Sequence, residues 1–111
     1  DEPLLRDTVQ GLKLMQWHGD TFNMPEGAVQ LATRETCPSQ AFRMGELTYG
    51  FQFHLEMTRK GLDCWNVFRA KAEKKPLAEI EALIEPQIAA SLDAQQVFAR
   101  RTMRRWLALA E

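Results

Sequence analysis

The chain has 111 residues, of which 45% are hydrophobic and 26% are charged, a composition that fits one ordinary globular domain. Its formal net charge of -1 gives no overall field that would hold nucleic acid or an anionic membrane. Cys37 and Cys64 lie far apart without a CxxC spacing, and no apolar run reaches the ~20 residues of a membrane span. We therefore expect no nucleic-acid or membrane partner, no metal or other cofactor, and a reducing, cytoplasmic setting.

Short β-strands separated by turns are predicted for residues 1–57. Alternating hydrophobic side chains place these strands at residues 12–17, 28–33, 41–44 and 47–54. Pro25-Glu26-Gly27 has the composition of a turn, and Gly45-Glu46 fits the loop of a tight hairpin between the last two strands.

The last predicted strand has two different faces. Its apolar face carries Leu47, Tyr49, Phe51 and Phe53, and its other face carries Thr48, Gly50, Gln52 and His54. We expect the first face to lie in the core and the second to be available for chemistry. Because Gly50 has no side chain, another backbone or a ligand can approach that face closely.

Helices are predicted for residues 58–111. The first is expected to begin after an N-cap at Thr58, to end near Pro76 and to pack on the sheet through Leu62, Trp65, Phe68 and Ala72. Two shorter helices, at 77–84 and 87–92, are expected on either side of Pro86. Asp93 is expected to cap a last helix that ends near Ala110 and buries Phe98, Thr102, Trp106 and Leu109.

His54 and Glu56 form the first candidate site. In an extended chain two such residues lie on one face within ~7 Å, so the carboxylate can orient the imidazole. A general base needs this arrangement, in which an acceptor at one ring nitrogen fixes the tautomer. The alternative is an exposed polar pair at a strand end, which is what most His-x-Glu sequences are.

The residues around this pair match a family signature. Gly50-Phe51-Gln52-Phe53-His54-Leu55-Glu56 resembles the G-x-Q-F-H-P-E motif of class I glutamine amidotransferases. Trp17-His18-Gly19-Asp20, Leu31-Ala32 and Gln40-Ala41-Phe42 resemble, in the same order, the HGD turn of the family, its next strand and the approach to the signature. The resemblance covers about residues 2–65 well and the helical tail more loosely.

The resemblance implies a fold and a chemistry. The fold would be an α/β, flavodoxin-like three-layer domain, of which residues 1–111 form the C-terminal portion, with short strands followed by helices. His54 would be the base and Glu56 its orienting partner in a Cys-His-Glu triad. In the family the activated cysteine attacks the side-chain amide of glutamine, which gives a γ-glutamyl thioester and releases ammonia.

The nucleophile of this triad is missing from the sequence. No G-x-C-x-G elbow occurs, and we expect Cys37, in a loop, and Cys64, in a helix, to be structural. Leu55 replaces the usual proline, which contributes no reacting group. The 111 residues are therefore expected to be inactive alone. The chain starts at Asp1 without a methionine, and we expect it to be part of a longer polypeptide.

The expected partners follow from this interpretation. Glutamine would be the substrate of the parent enzyme. A GMP synthase-like domain is one alternative for the part of that enzyme that uses the ammonia. The missing N-terminal part, or a second copy, would cover a sheet edge and the apolar face of Phe51 and Phe53. The alternatives are a non-catalytic interaction module and a γ-glutamyl hydrolase of the same fold.

Two further surfaces have functional alternatives. Two imidazoles and two carboxylates, from His18, Asp20, His54 and Glu56, are ligand types that suit zinc or non-haem iron. We favour the interpretation that His18 only stabilises its loop by hydrogen bonding. The last helix has a basic face of four arginines that nucleic acid could contact, and we favour a solvated face instead. These four residues are Arg100, Arg101, Arg104 and Arg105.

Overall fold

The computed structural model describes residues 2–111, which form a three-stranded antiparallel sheet followed by two helices. The strands are β1 (Val29–Ala32), β2 (Ala41–Met44) and β3 (Thr48–Phe51), arranged in the order β1-β2-β3. The helices are α1 (Arg59–Glu73) and α2 (Leu77–Leu109). Short strands followed by helices are thus confirmed. The parallel strands that a flavodoxin-like fold requires are absent from residues 2–111, so that part of the prediction stays untested.

The sheet is smaller than predicted. Residues 12–17 form no strand, because only Met15 finds a partner and makes a single antiparallel bridge to His54. β3 ends at Phe51, since the chain bends at the next two residues before it reaches His54. β2 and β3 form the predicted hairpin, in which Gly45 has a φ of 66°, a conformation that glycine adopts without steric cost.

Gly50 on β3 lies opposite Phe42 on β2. A Cβ at Gly50 would lie 2.2 Å from Cε1 of the Phe42 ring, far inside van der Waals contact. The prediction of a close approach at Gly50 is therefore right, but its partner is a neighbouring side chain and not a ligand or another backbone.

Gly50→Ala is expected to lower the free energy of unfolding by about 1–3 kcal/mol, because the added methyl group forces the Phe42 ring out of its position. Urea unfolding followed by circular dichroism measures the change. Gly19→Ala is the matched control, since a Cβ there meets no atom within 4 Å. Equal midpoints for the two variants would contradict the packing described.

Helix α1 begins as predicted but buries a different face. The Thr58 hydroxyl accepts a hydrogen bond from the Gly61 N–H at 3.0 Å, which confirms the N-cap. Of the predicted buried residues, Leu62 is buried, whereas Phe68 is 68% exposed and Ala72 is also exposed. The reason is that α1 packs along α2, which centres its buried face on Leu62, Asn66 and Ala70.

Helix α2 is one continuous helix, so the predicted break at Pro86 and cap at Asp93 are wrong. A proline inside a helix removes one backbone hydrogen bond, but buried side chains anchor α2 on both sides of it. Ile80 precedes the proline, and Gln95, Phe98 and Thr102 follow it. The predicted burial of Phe98 and Thr102 is confirmed, and Trp106 and Leu109 are half-buried.

The core lies between α2 and the β2–β3 hairpin. Phe98 packs edge to face on Phe53, with ring centroids 6.4 Å apart, and the two form one buried cluster with the fully buried Ala41. We expected the apolar face of Phe51 and Phe53 to be exposed, which is wrong: Phe53 is 6% exposed and Phe51 is half-buried. The tail helix covers the surface that was assigned to a missing partner.

Two of the four arginines on the predicted basic face bind the N-terminal segment of the chain. Arg101 donates to the Thr8 hydroxyl at 3.2 Å, and Arg105 donates to the Arg6 carbonyl at 2.6 Å. Arg100 and Arg104 are exposed. The arginines therefore do not form one free basic patch. Within residues 2–111, neither helix is long and apolar enough to cross a membrane.

Candidate functional site

The structure brings His54 and Glu56 into contact at the end of the β2–β3 hairpin. Nδ1 of His54 lies 2.6 Å from Oε1 of Glu56, and the backbone N–H of His54 donates to the Met15 carbonyl at 2.9 Å. The contact forms across a bend and not along the extended strand that we predicted. His54 has a side-chain exposure of 26% and Glu56 one of 65%, so the carboxylate reaches the ring from the solvent side.

The other ring nitrogen of His54 is also occupied. Nε2 lies 2.9 Å from the backbone carbonyl oxygen of Trp17. A carbonyl and a carboxylate both accept, so both contacts are hydrogen bonds only when the ring carries both protons. Trp17 therefore covers the nitrogen through which a base would act. The one signal for it in the sequence is that Trp17 directly precedes the HGD turn.

The ring of Trp65 packs on the side of the His54 ring, and Trp17 packs on Trp65. Trp65 of α1 meets the His54 ring edge to face, with centroids 4.7 Å apart and an interplanar angle of 85°. Trp17 in turn meets Trp65 at 4.7 Å and 71°. We predicted Trp65 as a packing residue on the sheet, whereas it packs on the imidazole. Aromatic contacts of this type contribute about 0.5–1.5 kcal/mol beyond area burial.

Glu56 is favoured in its charged form. Burial by itself raises the pKa of the Glu56 carboxyl, but hydrogen bonds from its own backbone N–H and from the His54 ring outweigh this and hold the pKa below its usual value. A lowered carboxyl pKa contributes stability that is present above the ordinary pKa of about 4.3 and is lost as the pH falls through the folded-state pKa.

We expect the His54–Glu56 contact to be intact at pH 6 and to break only below the ordinary carboxyl pKa of about 4.3, because the carboxyl pKa is lowered in the folded chain. Titration of the Glu56 side-chain carbon signal by NMR measures this directly. The same signal in the urea-unfolded chain serves as the reference. A Glu56 midpoint in the folded chain at or above that of the unfolded chain would contradict the contact.

The HGD turn is held by glutamine side chains. His18 contacts the Asp20 carbonyl through Nδ1 at 2.8 Å and Gln16 Oε1 through Nε2 at 3.0 Å. Gln16 donates onward to the buried Gln40 at 2.9 Å, and Gln52 donates to the Asp20 carbonyl at 3.3 Å. His18 thus has the loop-stabilising contacts that we favoured. Residues 2–111 contain no group of three or more His, Cys, Asp or Glu placed to hold a metal ion.

Neither cysteine lies at the His54 ring. Cys37 Sγ is 3.3 Å from the Thr21 hydroxyl, in the loop before β2. Cys64 is exposed on α1, so it does not pack in the core. Within the described part of the chain, both ring nitrogens of His54 bind groups other than a thiol.

An open groove of about 1820 Å³ lies beside this site, between residues 8–18, β1 and the two helices. Trp17 and His18 are among its lining residues. Its accessible apolar lining includes the exposed Val9 and Leu83 and the half-buried Leu12, Leu14, Leu31 and Ile84. The groove therefore joins an apolar surface to the backbone that covers His54.

The chain is similar in sequence to known proteins whose names refer to glutamine amidotransferase or to glutamine hydrolysis. No protein-family model matches the chain. It is 34% identical over 61 residues to the glutamine amidotransferase-like protein YfeJ of Salmonella typhimurium. These matched residues make up 55% of this chain and 26% of that protein. It is 42% identical over 59 residues to the glutamine-hydrolysing GMP synthase of Porphyromonas gingivalis. These matched residues make up 51% of this chain and 12% of that protein.

These relatives confirm the resemblance to class I glutamine amidotransferases. The match spans about half of this chain, but only 26% of one relative and 12% of the other. Most of each relative therefore has no counterpart in the matched residues.

Proposed function

We propose that this chain supplies the histidine and the glutamate of the Cys-His-Glu triad of a glutamine amidotransferase, with the cysteine on a segment outside the 111 residues. One observation carries the proposal: the contact of 2.6 Å between His54 Nδ1 and Glu56 Oε1, at the end of the sequence Gly50-Phe51-Gln52-Phe53-His54-Leu55-Glu56. The names of its relatives, a glutamine amidotransferase-like protein and a glutamine-hydrolysing GMP synthase, support it.

The geometry fits a base that acts through Nε2. Glu56 accepts the Nδ1 proton, which leaves Nε2 of the neutral ring to take a proton from a thiol. The thiolate would attack the side-chain amide carbon of glutamine, and His54 would return the proton to the departing ammonia. Water would then cleave the thioester to glutamate. For this, the thiol has to replace the Trp17 carbonyl at Nε2.

The proposed partner is the part of the amidotransferase domain that carries the cysteine elbow. The apolar groove offers a surface for it, and β1 lies at the edge of the sheet next to that groove. Most of each relative lies outside the matched region, which leaves room in those proteins for such a segment.

In isolation the chain is expected to associate with itself through this groove, because its apolar lining is then uncovered. Sedimentation velocity at increasing concentration measures the association. Leu83→Glu, which places a charge in the groove, is expected to weaken it at least about tenfold. Leu107→Glu is the matched control, because Leu107 is 56% exposed against 53% for Leu83 but lies outside the groove. A monomer at all concentrations, or equal effects of both variants, would contradict this use of the groove.

The function is tested by ammonia release from glutamine. The full-length protein that contains these residues is expected to hydrolyse glutamine, and the 111-residue chain alone is expected to be inactive. Release of glutamate from a γ-glutamyl peptide but not from glutamine would favour the γ-glutamyl hydrolase alternative.

A non-catalytic interaction module is the second candidate. The observation that favours it is the covered Nε2 of His54, together with a sequence that has no cysteine elbow. In that case the full-length protein would hydrolyse neither compound. The cytoplasmic setting stays a prediction in both cases.

A further inference from the structure

Gln95 is a buried polar residue in the middle of α2, with an exposure of 4%. Its Oε1 accepts a short hydrogen bond from the backbone N–H of Met15. Because that N–H can only donate, the contact fixes the orientation of the Gln95 amide. A side chain of the C-terminal helix thus binds the backbone of a segment far away in the sequence.

That segment touches His54 at two points. The Met15 carbonyl accepts from the His54 N–H at 2.9 Å, and the Trp17 carbonyl lies 2.9 Å from the ring Nε2. Met15 is therefore hydrogen-bonded on one side to Gln95 and on the other to His54. Within residues 2–111, no other side chain of α2 hydrogen-bonds residues 15–17.

Packing alone does not account for a glutamine at this position. Its Nε2 is buried and has no hydrogen-bond partner within the described residues. An unpaired buried donor is unfavourable, and an apolar side chain of similar shape would avoid it. The contribution that an apolar side chain could not make here is the acceptor for the Met15 N–H.

We propose that Gln95 is a positioning residue for His54, which fixes residues 15–17 and through them the backbone and ring of the histidine. The proposal rests on the proposed function only in naming His54 as the base. It adds that the C-terminal helix is part of the catalytic unit, although it contributes no group to the chemistry.

The test uses Gln95→Met in the 111-residue chain, with Gln96→Met on the next residue of the same helix as the matched control. We expect the Met15 amide in Gln95→Met to exchange with solvent about tenfold faster, relative to the amides of α2 in the same sample, because it loses its acceptor. We also expect the ¹⁵N signal of His54 Nε2 to shift, and the control to change neither readout.

Two outcomes would overturn the proposal: an unchanged Met15 exchange rate relative to α2, or an unchanged Nε2 signal. A general loss of stability alone would speed the exchange of all amides together, so the ratio of the Met15 rate to the α2 rates would stay constant. If Gln95→Met does not fold, Gln95→Glu keeps an acceptor oxygen and is expected to retain Met15 protection, and loss of that protection would count against the role. These readouts need no glutamine turnover, so they are independent of the glutaminase assay.

Discussion

His54→Ala in the full-length protein that contains this chain is expected to lower the kcat of glutamine hydrolysis by about 10²–10⁴-fold, the range that a positioned general base contributes. The reason is that no other group in the described residues meets Glu56 in an arrangement that can take a thiol proton. Ammonia release at saturating glutamine measures kcat. KM is expected to change little, because the ring acts on the reacting atoms and is not assigned to substrate binding.

Controls separate the loss of a base from a loss of folding. The ring also packs on Trp65, so circular dichroism of His54→Ala has to match that of the unmodified protein. Added imidazole is expected to restore part of the activity in His54→Ala, since it can occupy the space that the side chain leaves. Glu56→Gln is expected to lower kcat less, because it removes the charge but keeps a hydrogen-bonding side chain at Nδ1. Full activity of His54→Ala would remove His54 from the mechanism.

The part of the site that sequence could predict is the part made by neighbouring residues. His54 and Glu56 are two positions apart, so almost any chain path after β3 keeps them within reach of each other. Trp17 and Gln95 reach the site from other parts of the chain, and no spacing rule connects them to His54. The motif predicted the chemical groups, whereas their hydrogen-bond partners depend on tertiary packing.

The same division holds for the fold. The Gly45 hairpin and the Thr58 cap are local signals, and both predictions are confirmed. The break predicted at Pro86 is wrong because buried contacts on both sides of the proline keep α2 continuous. The burial predicted for Phe68 is wrong for a related reason, since the position of α2 decides which face of α1 is covered.

Phe98→Ala is the substitution expected to destabilise the chain most, by about 3–5 kcal/mol. Phe98 is 4% exposed, and its ring packs edge to face on Phe53, beside the fully buried Ala41. Loss of the ring removes apolar burial and leaves a cavity between α2 and the hairpin that ends in His54. The midpoint and slope of urea unfolding give the change in the free energy of unfolding.

Phe68→Ala is the matched control for Phe98→Ala, because the same atoms are removed from a residue that is 68% exposed. A surface change of this kind is expected to alter the free energy of unfolding by no more than about 0.5 kcal/mol. Similar effects of the two variants would show that α2 does not form one core with the hairpin. A large difference would show that it does, and the helix that carries Gln95 would then be as necessary to the position of His54 as the strand before it.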